Sequence, residues 1–275
     1  MPELPEVETT VLGLRPHVIQ QTIVAMTIRK HQLRWLIPDN TPELLCGQTI
    51  QTIERRGKYI LMATQSGTIL IHLGMSGRLS ILPITTAPGK HDHIDLQLNQ
   101  QQILRYTDPR RFGSWVWIHH QPALQHPLLS KLGIEPFDPN FNGSYLWQKA
   151  QNKSVAIKTF IMDQHIVVGV GNIYATEALF TTGLHPSTPA KSVTLEQMTQ
   201  LAKEIQIILN YAIQAGGTSL KDFLQTDGKP GYFTLQLKIY NRAGLPCPAC
   251  QTNLEKLTIG QRTSTFCPTC QTLPA

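Results

Sequence analysis

The chain has 275 residues, 41% hydrophobic and 15% charged, with a formal net charge of +6. That length allows two domains with sizeable cores, and the apolar share excludes a largely disordered protein. No apolar run reaches the roughly 18 residues that cross a bilayer, and no basic stretch with an apolar signal core opens the chain. A cytoplasmic protein with no membrane partner is therefore expected. The positive charge suits a polyanion without specifying one.

The opening stretch, "MPELPEVETT", has two readings. Pro5 fits a first helical turn, Glu6 and Glu8 suit the positive end of a helix dipole, and Val7, Val11, Leu14 and Val18 follow at helical spacing as a core-facing stripe. On that reading the glutamates are merely solvated. The other reading starts from removal of Met1, which a small second residue generally permits. Pro2 then presents a secondary amine. A terminal amine has a reference pKa of roughly 7.7–8.0, so a useful fraction is nucleophilic near neutrality, and the Glu3 carboxyl is placed to exchange protons with whatever is attacked. These ten residues alone favour the helical reading.

Period-two patterns follow. Residues 19–29, 48–55, 59–64, 68–73, 93–98 and 103–106 are predicted strands, separated by turn signals such as Gln65-Ser66-Gly67 and Asn99-Gln100. So many short strands predict a sandwich or barrel-like domain over residues 1–130. Residues 131–143 hold two prolines, two glycines and two asparagines and read as a linker, extended to residue 150 before a helical domain over 151–235. In 194–215, Leu195, Met198, Leu201, Ala202, Ile205, Ile208, Leu209 and Ala212 form one apolar face, more simply a core stripe than a cofactor box. A Gly-rich loop, "TDGKPGYF", precedes a cysteine-bearing tail over 236–275.

In that tail Cys247, Cys250, Cys267 and Cys270 form two C-x-x-C knuckles, which can offer four thiolates to one tetrahedral zinc. A pair of disulfides is disfavoured, because cytosolic thiols are kept reduced. A metal so enclosed stabilises structure and does not catalyse. Cys46 stands alone and reads as a small buried apolar residue. Between the knuckles Arg262 falls on an expected hairpin tip, suited to gripping a phosphate.

Elsewhere, "VVGVGNIYATEALF" lacks the third glycine of a dinucleotide fingerprint. Asn172 instead begins an expected amphipathic helix whose free N–H groups can hold an anion. "DPRRFG" mixes Arg110 and Arg111 with Phe112, a combination that can contact phosphates and wedge between bases. "HLGMSG" sets Met75 between glycines, in an expected exposed turn. His91 and His93 in "KHDH" are too few ligands for a metal site.

Taken in order, "PELPEVET", "GKY", "HLGMSG", "KHDHID", "YTDPRRFG", "GVGNIYATE", "GGTSLKDF", "DGKPGYF" and the paired knuckles resemble the bacterial formamidopyrimidine-DNA glycosylases over residues 2–270. The resemblance implies a two-domain α+β fold: an N-terminal β-sandwich, then a C-terminal helical domain with a helix-two-turns-helix motif and a β-hairpin zinc finger holding one structural Zn2+. It also implies a monomeric base-excision repair enzyme acting on double-stranded DNA that contains oxidised purines. Pro2 is then the nucleophile that forms a Schiff base, Glu3 the acid that assists base loss, and Glu6 a supporting neighbour. Lys58 is implied in proton transfer during β-elimination and in phosphate contact, and Arg262 in δ-elimination. His91, Arg110, Lys153 and Asn172 fall on DNA-contacting positions. Met75, Arg110 and Phe112 match residues that fill the gap left by an extruded base, and "DGKPGYF" matches a loop over that base. One departure is Asn241, where glycine is common in the family; asparagine tolerates left-handed backbone geometry.

Three rivals are weighed. An endonuclease VIII type acting on oxidised pyrimidines typically has glycine where this chain has Leu4. A zinc-ribbon DNA-binding protein without catalysis leaves the N-terminus unexplained. A phosphate-binding metabolic enzyme lacks a complete nucleotide motif.

Overall fold

The computed structural model describes residues 2–119, 121–217 and 237–273. The chain divides into two units, Met1–Ser130 with Ala215–Thr234, and Lys131–Gln214 with Leu235–Ala275. The loop "DGKPGYF" and most of "GGTSLKDF" lie outside the described residues.

In the first unit, helix α1 (Leu4–Val18) buries Leu4, Val7, Val11, Leu14 and Val18, each at most 1% exposed. Burying such a side chain contributes roughly 1.5–3 kcal/mol, so the stripe fixes the helix against the strands. Eight strands follow: β1 (Ile23–Ile28), β2 (Thr52–Arg56), β3 (Tyr59–Ala63), β4 (Gly67–His72), β5 (Arg78–Pro83), β6 (Asp92–Leu98), β7 (Gln102–Thr107) and β8 (Ser114–His119). They pair antiparallel into two sheets, ordered β1-β6-β7-β5 and β2-β3-β4-β8. Met26, Leu96 and Tyr106 of one sheet share a core with Ile60, Ile69 and Trp115 of the other, which makes the unit a sandwich. The Tyr106 and Trp115 rings meet edge to face at 6.1 Å across the layers. A short helix α2 (Thr41–Leu45) interrupts the strand series. It ends on Cys46, which is exposed and not buried as expected; its thiol sits on the rim and donates to the Val24 carbonyl at 3.1 Å.

The second unit contains α3 (Gly143–Ala150), α4 (Ile157–Met162), α5 (Asn172–Thr181), α6 (Leu195–Gln214) and the hairpin β9 (Glu255–Ile259) with β10 (Arg262–Phe266). Helix α3 lies inside the stretch expected to be linker. Asn142 caps it by accepting the Tyr145 N–H at 3.0 Å, and Leu146 and Ala150 are buried. Its first residue must be glycine, because a Cβ there would collide with the Thr199 backbone on α6. The helical region expected over 151–235 is therefore not a unit by itself: it begins before α3, takes in the hairpin, and loses Ala215–Gly217 to the first unit. Helix α5 is not amphipathic as expected. Every residue from Ile173 to Phe180 is buried, because the helix is packed by α4, α6 and β10. Among the described residues no helix is long and apolar enough to cross a membrane.

Candidate active site and nucleic-acid interface

The expectation of solvated glutamates at the N-terminus fails. Pro2 is buried, and Glu3 and Glu6 are each 2% exposed. Glu3 is the N-cap of α1, and Glu6 turns back to accept its backbone N–H at 2.8 Å. Gly217 (φ +82°) packs so closely on Glu6 that a Cβ would lie 3.3 Å from the Glu6 side chain. One helix turn thus holds two buried carboxylates directly after Pro2, away from bulk water.

Lys58 sits in the two-residue turn between β2 and β3, where Gly57 supplies the positive φ of +58°. Arg55 steadies that turn, donating to Glu8 on α1 at 2.6 Å and to the Gly57 carbonyl at 3.1 Å. Lys58 is itself buried. Its charge is felt by His72, whose pKa is lowered to about 4, mainly by burial and further by Lys58 and Arg34, against an opposing pull from Asp108. His72 Nδ1 is held as an acceptor by the Gly74 N–H at 2.9 Å. Arg34, His72, Gly74, Met75 and Phe112 line one cavity of about 270 Å³. Met75 is half-buried, not exposed as its turn suggested, whereas Phe112 is 49% exposed.

The "DPRRFG" loop is organised by Asp108, a fully buried carboxylate. It accepts from Ser76 Oγ at 2.7 Å, the Gly113 N–H at 2.9 Å and the Tyr106 hydroxyl at 3.1 Å. Ser76 Oγ in turn accepts the Arg110 N–H at 3.2 Å. These bonds leave the side chains beyond Asp108 pointing outward. Arg110 lies over the Phe112 ring at 4.9 Å, a cation–π contact that keeps the pair together in water. His93 Nε2 is 2.8 Å from the Asp108 carbonyl oxygen, so it is occupied in this clamp, while His91 lines a neighbouring basic cavity.

In the second unit Lys153 and Arg262, more than a hundred residues apart, line one cavity of about 340 Å³ with Lys158, Thr159 and Gly260. Arg262 opens β10 directly after the turn residues Gly260 and Gln261, both with positive φ, and is exposed as a hairpin-tip residue should be. Asn172 begins α5 and donates from Nδ2 to the Thr263 carbonyl at 3.1 Å, next to Arg262. Two buried side chains weld the hairpin region to the helices. Lys158 donates to Thr176 Oγ1 at 2.9 Å and Ser264 Oγ at 2.6 Å. Glu177 accepts the N–H groups of Lys238, Ile239 and Tyr240 at 2.8, 3.0 and 2.7 Å.

The four tail cysteines converge, their sulfurs lying within 4.8 Å of one another. Cys247 and Cys267 are buried in a small core with Phe180, Ile239 and Leu254. Four thiolates this close repel one another and need a cation between them. Four sulfur donors with no open position fit a closed tetrahedral Zn2+, which has a structural role. Asn241 takes φ +60°, the left-handed geometry that asparagine allows in place of glycine.

Family models match the whole series of elements: the formamidopyrimidine-DNA glycosylase N-terminal domain over residues 1–115, its H2TH domain over 132–224, and a zinc finger found in FPG and IleRS over 244–273. The chain belongs to the formamidopyrimidine-DNA glycosylase family. A formamidopyrimidine-DNA glycosylase of Photobacterium damsela subsp. piscicida is 54% identical over 98% of this chain and 100% of its own length. One from Legionella pneumophila subsp. pneumophila is 52% identical over 98% of each. Among solved structures, a Lactococcus lactis FPG mutant bound to Fapy-dG DNA superposes with a TM-score of 0.92 at 30% identity, covering 98% of this chain and all of that one. The MutM (FPG) protein of Thermus thermophilus superposes at 0.87 with 36% identity over all of both chains.

As a family member the chain is a DNA-repair glycosylase and AP lyase with a structural zinc finger. The rival built only on the cysteine tail fails, since the match extends over residues 1–115. Sequence reasoning missed His72, Arg34, Asp108 and Gly217. The first lies in the motif quoted for Met75, the third in the one quoted for Arg110 and the fourth in "GGTSLKDF", but their residue types alone suggested no role.

Proposed function

We propose that this chain removes oxidised purines, 8-oxoguanine and formamidopyrimidines, from double-stranded DNA through a Schiff base at Pro2, and cuts the strand by β,δ-elimination as a monomeric cytoplasmic enzyme. The observation that carries the reading is the head of α1, where Pro2 is buried beside Glu3 and Glu6. Solved relatives described with Fapy-dG DNA, abasic-site DNA and carbocyclic 8-oxo-G DNA support the choice of substrate.

A stacked base shields its sugar carbon, so the nucleotide must leave the duplex, at a cost of a few kcal/mol. Met75, Arg110 and Phe112 offset that cost by filling the vacated stack, the exposed Phe112 ring leading and Arg110 riding on it. Lys58, His91, Lys153 and Asn172 grip phosphates. After Met1 is removed, the Pro2 nitrogen lone pair bonds to C1′ while the C1′–N9 bond breaks. The departing purine takes those electrons and a proton from Glu3. Opening of the C1′–O4′ bond, with a proton passing from the amine to O4′, leaves an iminium at C1′. That cation acidifies C2′, and loss of its proton, with Lys58 in proton transfer, expels the 3′ phosphate. Loss of the C4′ proton then expels the 5′ phosphate, the step to which Arg262 belongs, and water hydrolyses the iminium to return the free amine.

Glu3→Gln separates the two halves of this scheme. Release of 8-oxoguanine from a duplex should fall by about 10²-fold or more, the usual worth of a general acid, while cleavage of a preformed abasic site persists. Equal loss of both activities would contradict the role given to Glu3.

A further inference from the structure

We propose that the apolar cavity beside β8 binds one uncharged, planar heteroaromatic molecule bearing a ring carbonyl, with that carbonyl accepting the Trp115 Nε1–H. The cavity holds about 420 Å³, within the range of small-molecule sites, and its whole wall belongs to the first unit. It shares no wall residue with the cavities at Met75, His91 or Arg262, so it stands apart from the DNA chemistry above and does not rest on it. Backbone bonds fix its walls. Strand β8, last in the order of its sheet, contributes Trp115 and Trp117. Residues 31–37 fold back on themselves, the Ile37 N–H donating to the His31 carbonyl at 3.0 Å, and the Arg34 N–H donates to the Gly113 carbonyl at 3.0 Å. That bond ties Trp35, a further wall residue, to the start of β8. Beyond β8, the His126 carbonyl accepts the Leu129 and Ser130 N–H groups at 2.8 and 2.9 Å, which holds His126 and Leu128 opposite.

The wall chemistry narrows the ligand. Among the described residues the wall holds no Asp, Glu, Lys or Arg, so an ion would lose its hydration without gaining a partner. The rings are flat surfaces: Trp117 stacks on His119 with centroids 6.4 Å apart and planes 13° from parallel, and Trp35 stands 47% exposed at the rim. Such faces suit another planar ring. Trp115 supplies the polar demand. It is fully buried, and its Nε1 is the one buried side-chain polar atom of this wall with no hydrogen-bond partner among the described residues. A buried indole N–H normally finds an acceptor, and leaving it without one is costly. A ring carbonyl supplies an acceptor without bringing a charge, which is the combination this wall requires.

The tryptophans are their own reporters. Three of the chain's four, Trp35, Trp115 and Trp117, line this cavity, while Trp147 lies on α3 in the other unit. The full zinc-loaded chain, isotope-labelled at the indole nitrogens, would be titrated by NMR with quinolin-2-one, a neutral bicyclic lactam. The Nε1–H signals of Trp35, Trp115 and Trp117 should move saturably, that of Trp115 downfield as its bond forms, and Trp147 should stay still. Indole, of similar size with a donor and no ring carbonyl, should bind about 3–10-fold more weakly, the usual worth of one hydrogen bond, and quinoline-2-carboxylate should not bind. Trp115→Phe removes the donor, keeps a ring in the core and should erase the preference for the lactam over indole. Trp35→Ala, at an exposed position that folding does not depend on, should weaken both probes. Indole binding as tightly as the lactam with Trp115 unmoved would make this a slot for apolar side chains of a protein partner and overturn the proposal. A preference that survives Trp115→Phe, tighter binding of the carboxylate, equal shifts at Trp147, or no saturable shift at Trp35 and Trp117 would each overturn it as well.

Discussion

His72 is buried beside two cations, Lys58 and Arg34, which outweigh the opposing pull of Asp108. Burial, with Lys58 and Arg34 nearby, lowers its pKa from 6.5 to about 4, so the ring is neutral at physiological pH. Because the folded value lies below the unfolded one, the unfolded chain binds the proton more readily between these limits. The contribution of His72 to stability is complete above about pH 6.5 and is lost as pH falls toward 4. The melting temperature of wild type relative to His72→Gln should therefore decline below pH 6.5 and hold steady above it; a pH-independent difference would contradict the placement of His72. An incoming phosphate relieves the same crowding, so DNA binding should raise this pKa. Sequence alone could not show this, because the lowering needs Arg34, Lys58 and His72, 38 residues apart at most, to be folded together. The same limit applies at the N-terminus. "PELPEVET" supplied the helix and its stripe, but the burial of Glu3 and Glu6 depends on what packs against that turn, including Gly217 from far along the chain.

Helix α4 and strand β10 show what an element owes to one side chain. Lys158 is 1% exposed and joins Thr176 on α5 to Ser264 on β10. Lys158→Met strips the buried Ser264 hydroxyl of its donor and should lower stability by about 1–3 kcal/mol in chemical denaturation. Unchanged stability would mean the bridge is incidental. Elements with a clean period were legible: the stripes of α1 and α6, the strands β1 to β4, β6 and β7, and the cysteine knuckles. Strands β5 and β8 were not; in β8 Ser114, Trp115 and Ile118 are buried and no alternation survives. Helix α5 misled for a related reason, being covered on nearly every side. Helix α3 was hidden by the prolines and glycines just ahead of it, and its cap, Asn142, was the one available signal.

For the molecule as a whole, the proposed scheme divides its residues between the units: Pro2, Glu3, Lys58 and the Arg110–Phe112 pair in the first, Lys153, Asn172, Arg262 and the four cysteines in the second. Stability should be divided likewise. Stripping zinc with a chelator should release hydrogen-exchange protection in β9, β10 and the end of α5 around Phe180, because Cys247 and Cys267 anchor that small core, and leave β6 and β7 protected. Uniform loss across both units would contradict a local structural metal. The most direct measurement remains at the first residue of the processed chain. Borohydride should trap a covalent adduct on a duplex carrying 8-oxoguanine opposite cytosine, and mass spectrometry should map it to the Pro2 peptide. No adduct from correctly processed protein, or one mapped to a lysine, would contradict the account that the N-terminal proline is the nucleophile.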